Sequence, residues 1–541
     1  MSKQIAEFLF PEIKKNIEDY QKTYPARPAG QIVTRFAPSP TGVLHIGGVY
    51  SALVGERFAH QQNGKFFLRI EDTDQKRFVE GAIDKIVNGL KIFGIEFNEG
   101  PIGPDFKEIG EYGPYTQSHR KEIYQTFAKK LIEEGKAYPC FLTAEEIEEI
   151  KKIQTISKKM PGVYGTYAKY REISLEEIQK NSTENKPFVI RLKNQNDPSA
   201  KVTLHDLVKG DLVMQDNFVD VVLLKSDGIP TYHFAHLVDD HLMGTTHVIR
   251  GEEWLPSLPL HQQLFKLFNF KSPQYAHTST ILKLDNGNKR KLSKRKDPEA
   301  DIFYFIENGY SIAGLKEYLI NIANSSFEDR RAQNPEKKVE EFQVVLEKIN
   351  KSGALLDMQK IDFLSQQALS TLSTPELFEQ GKTRASQFDK ELFELMKKYP
   401  DYTISALNIE RGGEKDPKRI HIFSDLRKNL AFFYDELFEQ TEEPTLPEID
   451  SETIKNFLNT YIKNLNLTQT KEERFEQLKS IGQNLGFALT NQDFKTGNFK
   501  GKIGDLAMIL RILLCHSSQT PDLFETMQVM GTERVIKRLS I

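Results

Sequence analysis

Near the start of the chain, the pattern of apolar and polar positions changes twice, and each part predicts a different element. The run Ile32–Ala37 is short, apolar and rich in β-forming residues, which predicts a strand. From His45 to Gln61, apolar residues recur at helical spacing, which indicates a helix. A second apolar run, Phe66–Ile70, predicts another strand. This order is that of a βαβ unit, so we expect a parallel sheet.

A loop rich in proline and glycine, Pro38–Gly42, joins the first strand to the helix, and Gly47 and Gly48 lie at the helix start. Ligands of parallel sheets bind where a strand ends and a helix begins, and free backbone N–H groups there attract phosphate. Glycine lets a ligand approach the backbone closely, and His45 would face that ligand. A glycine-rich turn with a packed histidine is the alternative, because the loop matches neither Walker A nor GxGxxG.

Composition indicates several folded domains. The chain has 541 residues, more than one core supports, and 39% of them are hydrophobic. The net charge of −3 excludes a nucleic-acid binder that acts by bulk charge, so any polyanion site is a local basic patch. The only cysteines, Cys140 and Cys515, make no disulfide framework, and a cytoplasmic location fits.

The N-terminal segment does not have the pattern of a targeting peptide. Acidic residues interrupt it and it has no apolar core, and no stretch of the chain approaches the length of a membrane span. We expect one amphipathic helix over Glu7–Tyr24, packed on the body of the protein.

A second basic element lies far downstream. Between Lys289 and Lys296, six basic residues follow the apolar run "STILKL". A solvated charge run is the ordinary interpretation. A lysine loop that closes over a triphosphate is the other, because cations stabilise the charge that grows in phosphoryl transfer.

Four motifs carry a family resemblance. "HIGG" at His45–Gly48 and "KLSKR" at Lys291–Arg295 occur with "RFAPSPTG" and "RIEDTD" around the first of them. Together and in this order they resemble the class I aminoacyl-tRNA synthetase family, and within it the bacterial glutamyl-tRNA synthetases. The resemblance is dense from Gln31 to Pro298 and weaker through the C-terminal part.

The resemblance implies a fold: an α/β Rossmann-like class I synthetase catalytic domain with an inserted acceptor-binding domain, followed by an all-α C-terminal anticodon-binding region. It also implies that glutamate attacks the α-phosphate of ATP and is then transferred to the 3′ end of tRNA-Glu. Activation without tRNA is not expected. Mg²⁺ would accompany ATP, held largely by the phosphates and water.

The resemblance assigns ATP-site residues by their match to the motifs. It implies that the catalytic residues, which stabilise the phosphates, are His45, Lys291 and Lys294. The ATP-binding positions are Thr41, Gly42, His45, Gly47, Gly48, Lys291, Ser293 and Lys294.

A dicarboxylic substrate needs cations for its carboxylates and an anion for its ammonium group. The glutamate-binding positions implied by the resemblance are Arg35, Ala37, Ser39, Glu71, Tyr232 and Arg250. Arg250 would bind the side-chain carboxylate, because its planar fork pairs with carboxylate bidentately. The residue-by-residue alternatives are a structural ion pair of Arg35 with Glu71, a core tyrosine at Tyr232 and a surface strand end at Arg250. We interpret His233 and Asp240 as structural polar groups.

Many relatives carry zinc in the inserted domain, but here Cys140 is followed by Leu142 where a Cys-x-Cys pair is needed. One thiol does not make a tetrahedral site, so we expect no zinc, no other resident metal, and a buried thiol at Cys140.

The motifs and turn signals divide the chain. We expect a 1–30 extension, a 31–114 first half of the catalytic fold, a 115–225 inserted acceptor-end-binding domain, a 226–285 second half, a 286–375 lysine-loop and stem-contact region, and a 376–541 helical anticodon-binding region with a linker near 437–450.

Helical spacing predicts a helix through Phe423–Phe433, and Thr532 resembles the N-cap of the last helix. A candidate phosphate patch, with a solvated helical face as the alternative, consists of Lys415, Lys418, Arg419, Arg427 and Lys428.

Four other functions compete. Glutaminyl-tRNA synthetase shares the fold, but a neutral amide needs no cation at Arg250. A short paralogue that modifies a tRNA base lacks the helical tail. A catalytically dead tRNA-binding protein predicts loss of His45, Lys294 or Glu71, which are all present. An unrelated adenylyltransferase would not have the tail. Whether tRNA-Gln is also charged stays open, and a monomer is typical of the family.

Overall fold

The structure is a computed structural model that describes residues 1–103, 107–293, 295–324, 326–413 and 419–540. Lys294, Lys415 and Lys418 lie outside the described residues. The chain forms two units, one of Met1–Tyr304 with Lys316–Leu356, the other of Phe305–Leu315 with Asp357–Ile541.

The predicted βαβ unit is confirmed. Strand Val33–Phe36 runs parallel to Lys65–Leu68, and helix Ile46–His60 connects them. A second parallel pair consists of His247–Gly251 and Gln274–Thr278. It lies beside the first pair, as shown by the hydrogen bond from the N–H of Thr246 to the carbonyl of Val33 at 2.9 Å. The carboxyl ends of these strands share one edge, which is where a ligand binds in such folds.

The other strands of the first unit are short. A three-stranded antiparallel sheet joins Ala137–Cys140, Val189–Leu192 and Val222–Leu224. The remaining strands are Gly100–Pro101, Glu108–Ile109, Lys201–Asp206, Gly210–Gln215, Leu282–Asp285 and Asn288–Lys291.

Helices surround these sheets. Those wholly within the first unit are Ser2–Leu9, Ile17–Thr23, Ile46–His60, Ala82–Ile92, Lys121–Glu133, Ala144–Ile156, Leu175–Thr183, Tyr232–Leu242, Leu258–Leu267 and Ser326–Gln333. The chain passes between the units within Ile302–Asn308 and Ile312–Ala323.

The second unit is helical. Its helices are Met358–Ser370, Thr374–Phe388, Lys390–Lys398, Pro400–Asn408, Asp425–Leu430, Asp435–Phe438, Ser451–Lys463, Lys471–Asn484, Asn491–Thr496, Ile503–Cys515, Leu523–Met530 and Thr532–Leu539. Across both units, no helix in the described ranges is long and apolar enough to cross a membrane.

The predicted helix through Phe423–Phe433 is only partly present. Helix Asp425–Leu430 gives way to a 3₁₀ turn at Ala431–Phe433 and then to Asp435–Phe438. The three neighbours Phe432–Tyr434 are all buried. Three consecutive side chains do not share one helix face, so the backbone must turn here.

Two single-residue predictions have different outcomes. Cys140 is a buried thiol, as expected. Thr532 is not the N-cap but the first helical residue, and Gly531 precedes it with a φ of 81°.

The predicted phosphate patch gains no support from Arg427. Its two terminal nitrogens donate to Asp389 and Glu391, both at 2.7 Å. A guanidinium that already pairs with two carboxylates has little charge left for a phosphate.

The N-terminal segment forms two helices, so the prediction of one helix over Glu7–Tyr24 is wrong. Helices Ser2–Leu9 and Ile17–Thr23 lie on either side of Pro11, whose missing N–H and ring stop the first from continuing. A capping box at Asn16 starts the second helix.

The prediction that this segment packs on the body is confirmed. The Lys129 ammonium donates to the carbonyls of Phe10 and Ile13 at 3.3 and 2.9 Å. The apolar side chains that join the core of the first unit are Ile5, Ala6, Phe10, Ile13, Ile17, Tyr20 and Tyr24.

Arg27 ties the end of this segment to a buried carboxylate. Its Nη1 and Nη2 donate to the two oxygens of Glu99 at 2.5 and 2.8 Å, and its Nε donates to the carbonyl of Met243 at 3.1 Å. The guanidinium lies 3.5 Å from the ring centroid of Tyr112. The side chains of Arg27 and Glu99 are only 8% and 9% exposed, so neither charge has water as a substitute partner.

We predict that Arg27→Ala lowers the unfolding free energy of the first unit by about 3–5 kcal/mol, because Glu99 then stays buried without its cation. Urea unfolding followed by circular dichroism measures the effect. Lys14→Ala is the control, since its contact with Glu7 is 3.9 Å long and exposed. Equal midpoints for the two variants would contradict the prediction.

Candidate active site

A cavity of about 470 Å³ opens at the carboxyl edge of the parallel strands. Gly42 and Ser293, although predicted for the site, are not among its lining residues. Gly42 lies in the loop before the helix with a φ of 116°, which favours glycine. The predicted residues that line the cavity are Arg35, Ala37, Ser39, Thr41, His45, Gly47, Gly48, Glu71, Tyr232, Arg250 and Lys291.

His45 begins the helix that points its N-terminus at the cavity. It is the N-cap residue of Ile46–His60, and its Nδ1 accepts the N–H of Gly47 at 2.9 Å. That bond places the ring hydrogen on Nε2, which lies 3.3 Å from the carbonyl of Leu292. The histidine therefore links the "HIGG" turn to the lysine loop.

Asp297 holds the start of the lysine loop, the basic segment between Lys289 and Lys296. It accepts both terminal nitrogens of Arg290, at 2.6 and 2.8 Å, and the N–H of Ser293 at 2.8 Å. The hydrogen bonds from Arg290 hold the pKa of this carboxyl well below its usual range. Lys291 lies at the cavity and contacts Glu253 at 2.9 Å, so the loop places a cation there.

The floor of the cavity is a network of buried charges. Arg69 donates to Asp240 at 2.7 Å and to Glu71 at 2.9 Å. The Nε of Arg35 donates to the same Asp240 at 3.2 Å. Burial raises the pKa of Asp240, but the charges of Arg35 and Arg69 outweigh this and hold the pKa well below its usual range. Asp240 is therefore an anion that fixes both arginines.

Arg35 and Glu71 each keep one end available. No described residue accepts a hydrogen bond from the terminal nitrogens of Arg35 or donates one to the second oxygen of Glu71. Both residues line the cavity. Burial raises the pKa of Glu71 despite its arginine neighbours, so a cationic ligand group there would favour its ionised form. The predicted alternative, an ion pair between these two residues, is not what the described contacts show.

Arg250 and Tyr232 form the opposite wall. The Nη1 of Arg250 donates to the Tyr232 hydroxyl at 3.2 Å, and its Nη2 donates to the carbonyl of Trp254 at 3.3 Å. The Tyr232 and Trp254 rings lie 4.2 Å apart. Since the hydroxyl accepts from Arg250, its own hydrogen can be donated towards a ligand.

Sequence reasoning missed the partners that fix these side chains. Arg69 stands two residues before Glu71, a spacing that places both on one side of an extended chain and is a usable signal. Asp240 was interpreted as a structural polar group, which agrees with its contacts. His261 and His277 contact Arg250 from the helix and the strand that follow it, and they carry no local signal.

An α/β sheet with a helix N-terminus, a lysine loop and arginines around one cavity defines a nucleotide-binding catalytic domain. Residues 31–363 match the family model "tRNA synthetases class I (E and Q), catalytic domain", and residues 391–541 match the model "Anticodon binding domain". The chain belongs to the class I tRNA synthetases of this E and Q family, which confirms the resemblance and the fold class predicted from the motifs.

Similar proteins cover nearly the whole chain. Glutamate–tRNA ligases of Clostridium perfringens (strain 13) and Acetivibrio thermocellus are 43% and 44% identical to it, and each match covers 99% of both chains. The crystal structure of a glutamate tRNA ligase from Elizabethkingia meningosepticum in complex with its amino acid is 27% identical, with a TM-score of 0.72 over 94% of this chain and 98% of that one.

Four histidines beside the cavity predict a pH dependence of stability. Burial lowers the pKa of His233 to about 4 and that of His236 to about 3, and it also lowers the pKa of His261 and His277. The unfolded chain therefore binds more protons than the folded one below about pH 6.5. We expect stability to fall as the pH drops from 6.5 towards 4, by at most about 1.4 kcal/mol per pH unit for each histidine that stays neutral in the folded protein.

Thermal unfolding between pH 7 and pH 5 checks this prediction. In His236→Asn, one of the groups is removed, so its melting temperature should fall less steeply than that of the unaltered protein. Parallel slopes for the two proteins would contradict it.

Proposed function

We propose that the chain is a glutamate–tRNA ligase, which activates L-glutamate with ATP and transfers it to tRNA-Glu. The observation that carries the proposal is Arg250, a guanidinium at the cavity wall that no described carboxylate pairs with. A dicarboxylic amino acid needs such a cation for its side chain, whereas an amide does not. The glutamate–tRNA ligases named above support the same activity.

In the first step, an oxygen of the glutamate α-carboxylate attacks the α-phosphorus of ATP, and the bond to pyrophosphate breaks. The free ends of Arg35 and Glu71 suit the α-carboxylate and the ammonium group. His45 and the positive N-terminus of the helix that it begins suit the phosphates. Lys291, with Lys294 by its match to the family motif, would stabilise the departing pyrophosphate.

Mg²⁺ would enter with ATP and neutralise phosphate charge. The carboxylates that line the cavity, Glu71 and Glu253, already bond to Arg69 and Lys291. These residues therefore fit a metal that is held by phosphate oxygens and water rather than by the protein. We expect no zinc in addition.

In the second step, a hydroxyl of the terminal adenosine of tRNA attacks the activated carbonyl carbon, and AMP leaves. We propose that activation requires bound tRNA and that the helical region 376–541 contacts the anticodon. The match of residues 391–541 to an anticodon-binding model supports the contact with the anticodon. A non-discriminating enzyme that also charges tRNA-Gln is the second candidate.

The division of the chain into 1–30, 31–114, 115–225, 226–285, 286–375 and 376–541 remains our proposal for its domains. We also propose a monomer in the cytoplasm, where ATP and tRNA are found. The free and buried Cys140 and Cys515 agree with a reducing compartment.

Charging of tRNA-Glu and tRNA-Gln transcripts with radiolabelled glutamate tests the function. We predict that Arg250→Gln lowers kcat/KM for glutamate by roughly 30-fold to 5000-fold, the cost of about 2–5 kcal/mol for removing a buried partner of a charge. The KM for ATP should change little, since the phosphates lie against other residues.

Lys14→Ala again serves as the matched control, because Lys14 is exposed and outside the cavity. Efficient charging with glutamine in place of glutamate would contradict the proposal and favour a glutaminyl enzyme.

A further inference from the structure

The guanidinium of Arg250 is held by neutral acceptors. Its Nε donates to the Nε2 of His277 at 3.0 Å, and both terminal nitrogens lie 3.2 Å from the Nδ1 of His261. The hydroxyl of Tyr232 and the carbonyl of Trp254 accept its remaining hydrogen bonds. Arginine has no acceptor of its own, so each of these partners must offer a lone pair.

Hydrogen bonds on the far side of each imidazole select the tautomer that can accept. The Nδ1 of His277 lies 2.6 Å from a carboxylate oxygen of Asp206, so it carries the hydrogen and leaves Nε2 free to accept from Arg250. Arg250 can only donate, so the Nδ1 of His261 accepts and its hydrogen lies on Nε2, which is 3.0 Å from the Nδ1 of His233 as a possible acceptor.

The other arginines at the cavity and its floor pair with a carboxylate, unlike Arg250. Arg35 and Arg69 both bond directly to the carboxylate of Asp240. Within the described part of the chain, no carboxylate lies within ion-pair distance of Arg250, and the nearest one in its network, Asp206, is separated from it by the His277 ring. Among the described residues, therefore, no carboxylate neutralises the charge of Arg250.

Burial keeps the imidazoles of His261 and His277 uncharged. His261 and His277 are fully buried. Burial, together with the charge of Arg250, lowers the pKa of both histidines, and burial lowers the pKa of the adjoining His233 to about 4. At neutral pH both imidazoles are therefore acceptors and not competing cations.

We infer that His261 and His277 are positioning residues, which hold Arg250 through uncharged acceptors and thereby make the pocket select a side-chain carboxylate over an amide. The inference rests on the proposed function and deepens it by naming the groups that set specificity. If an anion replaced either imidazole, Arg250 would be neutralised and a substrate carboxylate would meet a like charge nearby.

A pair of variants of equal size tests the inference. His261→Gln retains a neutral acceptor, whereas His261→Glu places a carboxylate against Arg250. Purified full-length proteins are assayed by ATP–pyrophosphate exchange with tRNA-Glu, with glutamate or glutamine as substrate. Circular dichroism melting establishes that each variant is folded.

We expect His261→Gln to keep kcat/KM for glutamate within about tenfold of the unaltered protein. We expect His261→Glu to lose about 100-fold or more through a higher KM for glutamate, with the KM for ATP unchanged, because like charges then face each other. The preference for glutamate over glutamine should fall in His261→Glu alone. Similar values for the two variants would overturn the inference.

Two further comparisons keep the test decisive. His277→Gln and His277→Glu repeat the pair on the other imidazole if His261→Glu does not fold. His205→Glu, on an exposed strand and bonded to Asp211, controls for the added charge and should behave as the unaltered protein. Failure of the unaltered protein to activate glutamate would instead overturn the proposed function, so the two failures are distinguishable.

Discussion

The buried guanidinium of Arg69 is the interaction on which the cavity depends. It stands just after strand Lys65–Leu68 and bonds to Glu71 and to Asp240 on helix Tyr232–Leu242. Asp240 in turn holds Arg35 from the neighbouring strand. Ions buried this deeply are tolerated only when each has a partner, so two distant parts of the chain must meet in one arrangement. The ligand-facing ends of Arg35 and Glu71 are a consequence of that arrangement.

The cationic side chains at the cavity are held by three different kinds of partner. Arg35 is anchored by a carboxylate and offers only its terminal nitrogens. Arg250 is held by neutral imidazoles and keeps its full charge for a ligand. In the lysine loop, Asp297 holds Arg290 and Ser293 and His45 contacts Leu292, so Lys291 stands between anchored residues. These differences suit the three roles that we propose: orientation of the substrate, recognition of a carboxylate, and stabilisation of charge on the departing pyrophosphate.

Local chemistry made much of this predictable. Strand Val33–Phe36 and helix Ile46–His60 follow from apolar spacing, whereas the cavity residues around them were implied by the family resemblance of the motifs that contain them. Where several parts of the chain compete, sequence reasoning failed. Periodicity predicted one helix over Glu7–Tyr24, but Pro11 lies between two separate helices there. It also predicted a helix through Phe423–Phe433, but the burial of Phe432–Tyr434 requires the backbone to turn. The imidazoles that accept from Arg250 follow it by 11 and 27 residues, on the next helix and the next strand, so no pattern within one element could identify them.

ATP–pyrophosphate exchange, measured with glutamate and with glutamine, each with and without tRNA-Glu, tests the central claim most directly. We predict exchange with glutamate in the presence of tRNA and none with glutamine, because no described carboxylate pairs with Arg250 and a substrate carboxylate can therefore do so. Exchange with glutamine, or no exchange in any sample from folded protein, would contradict it.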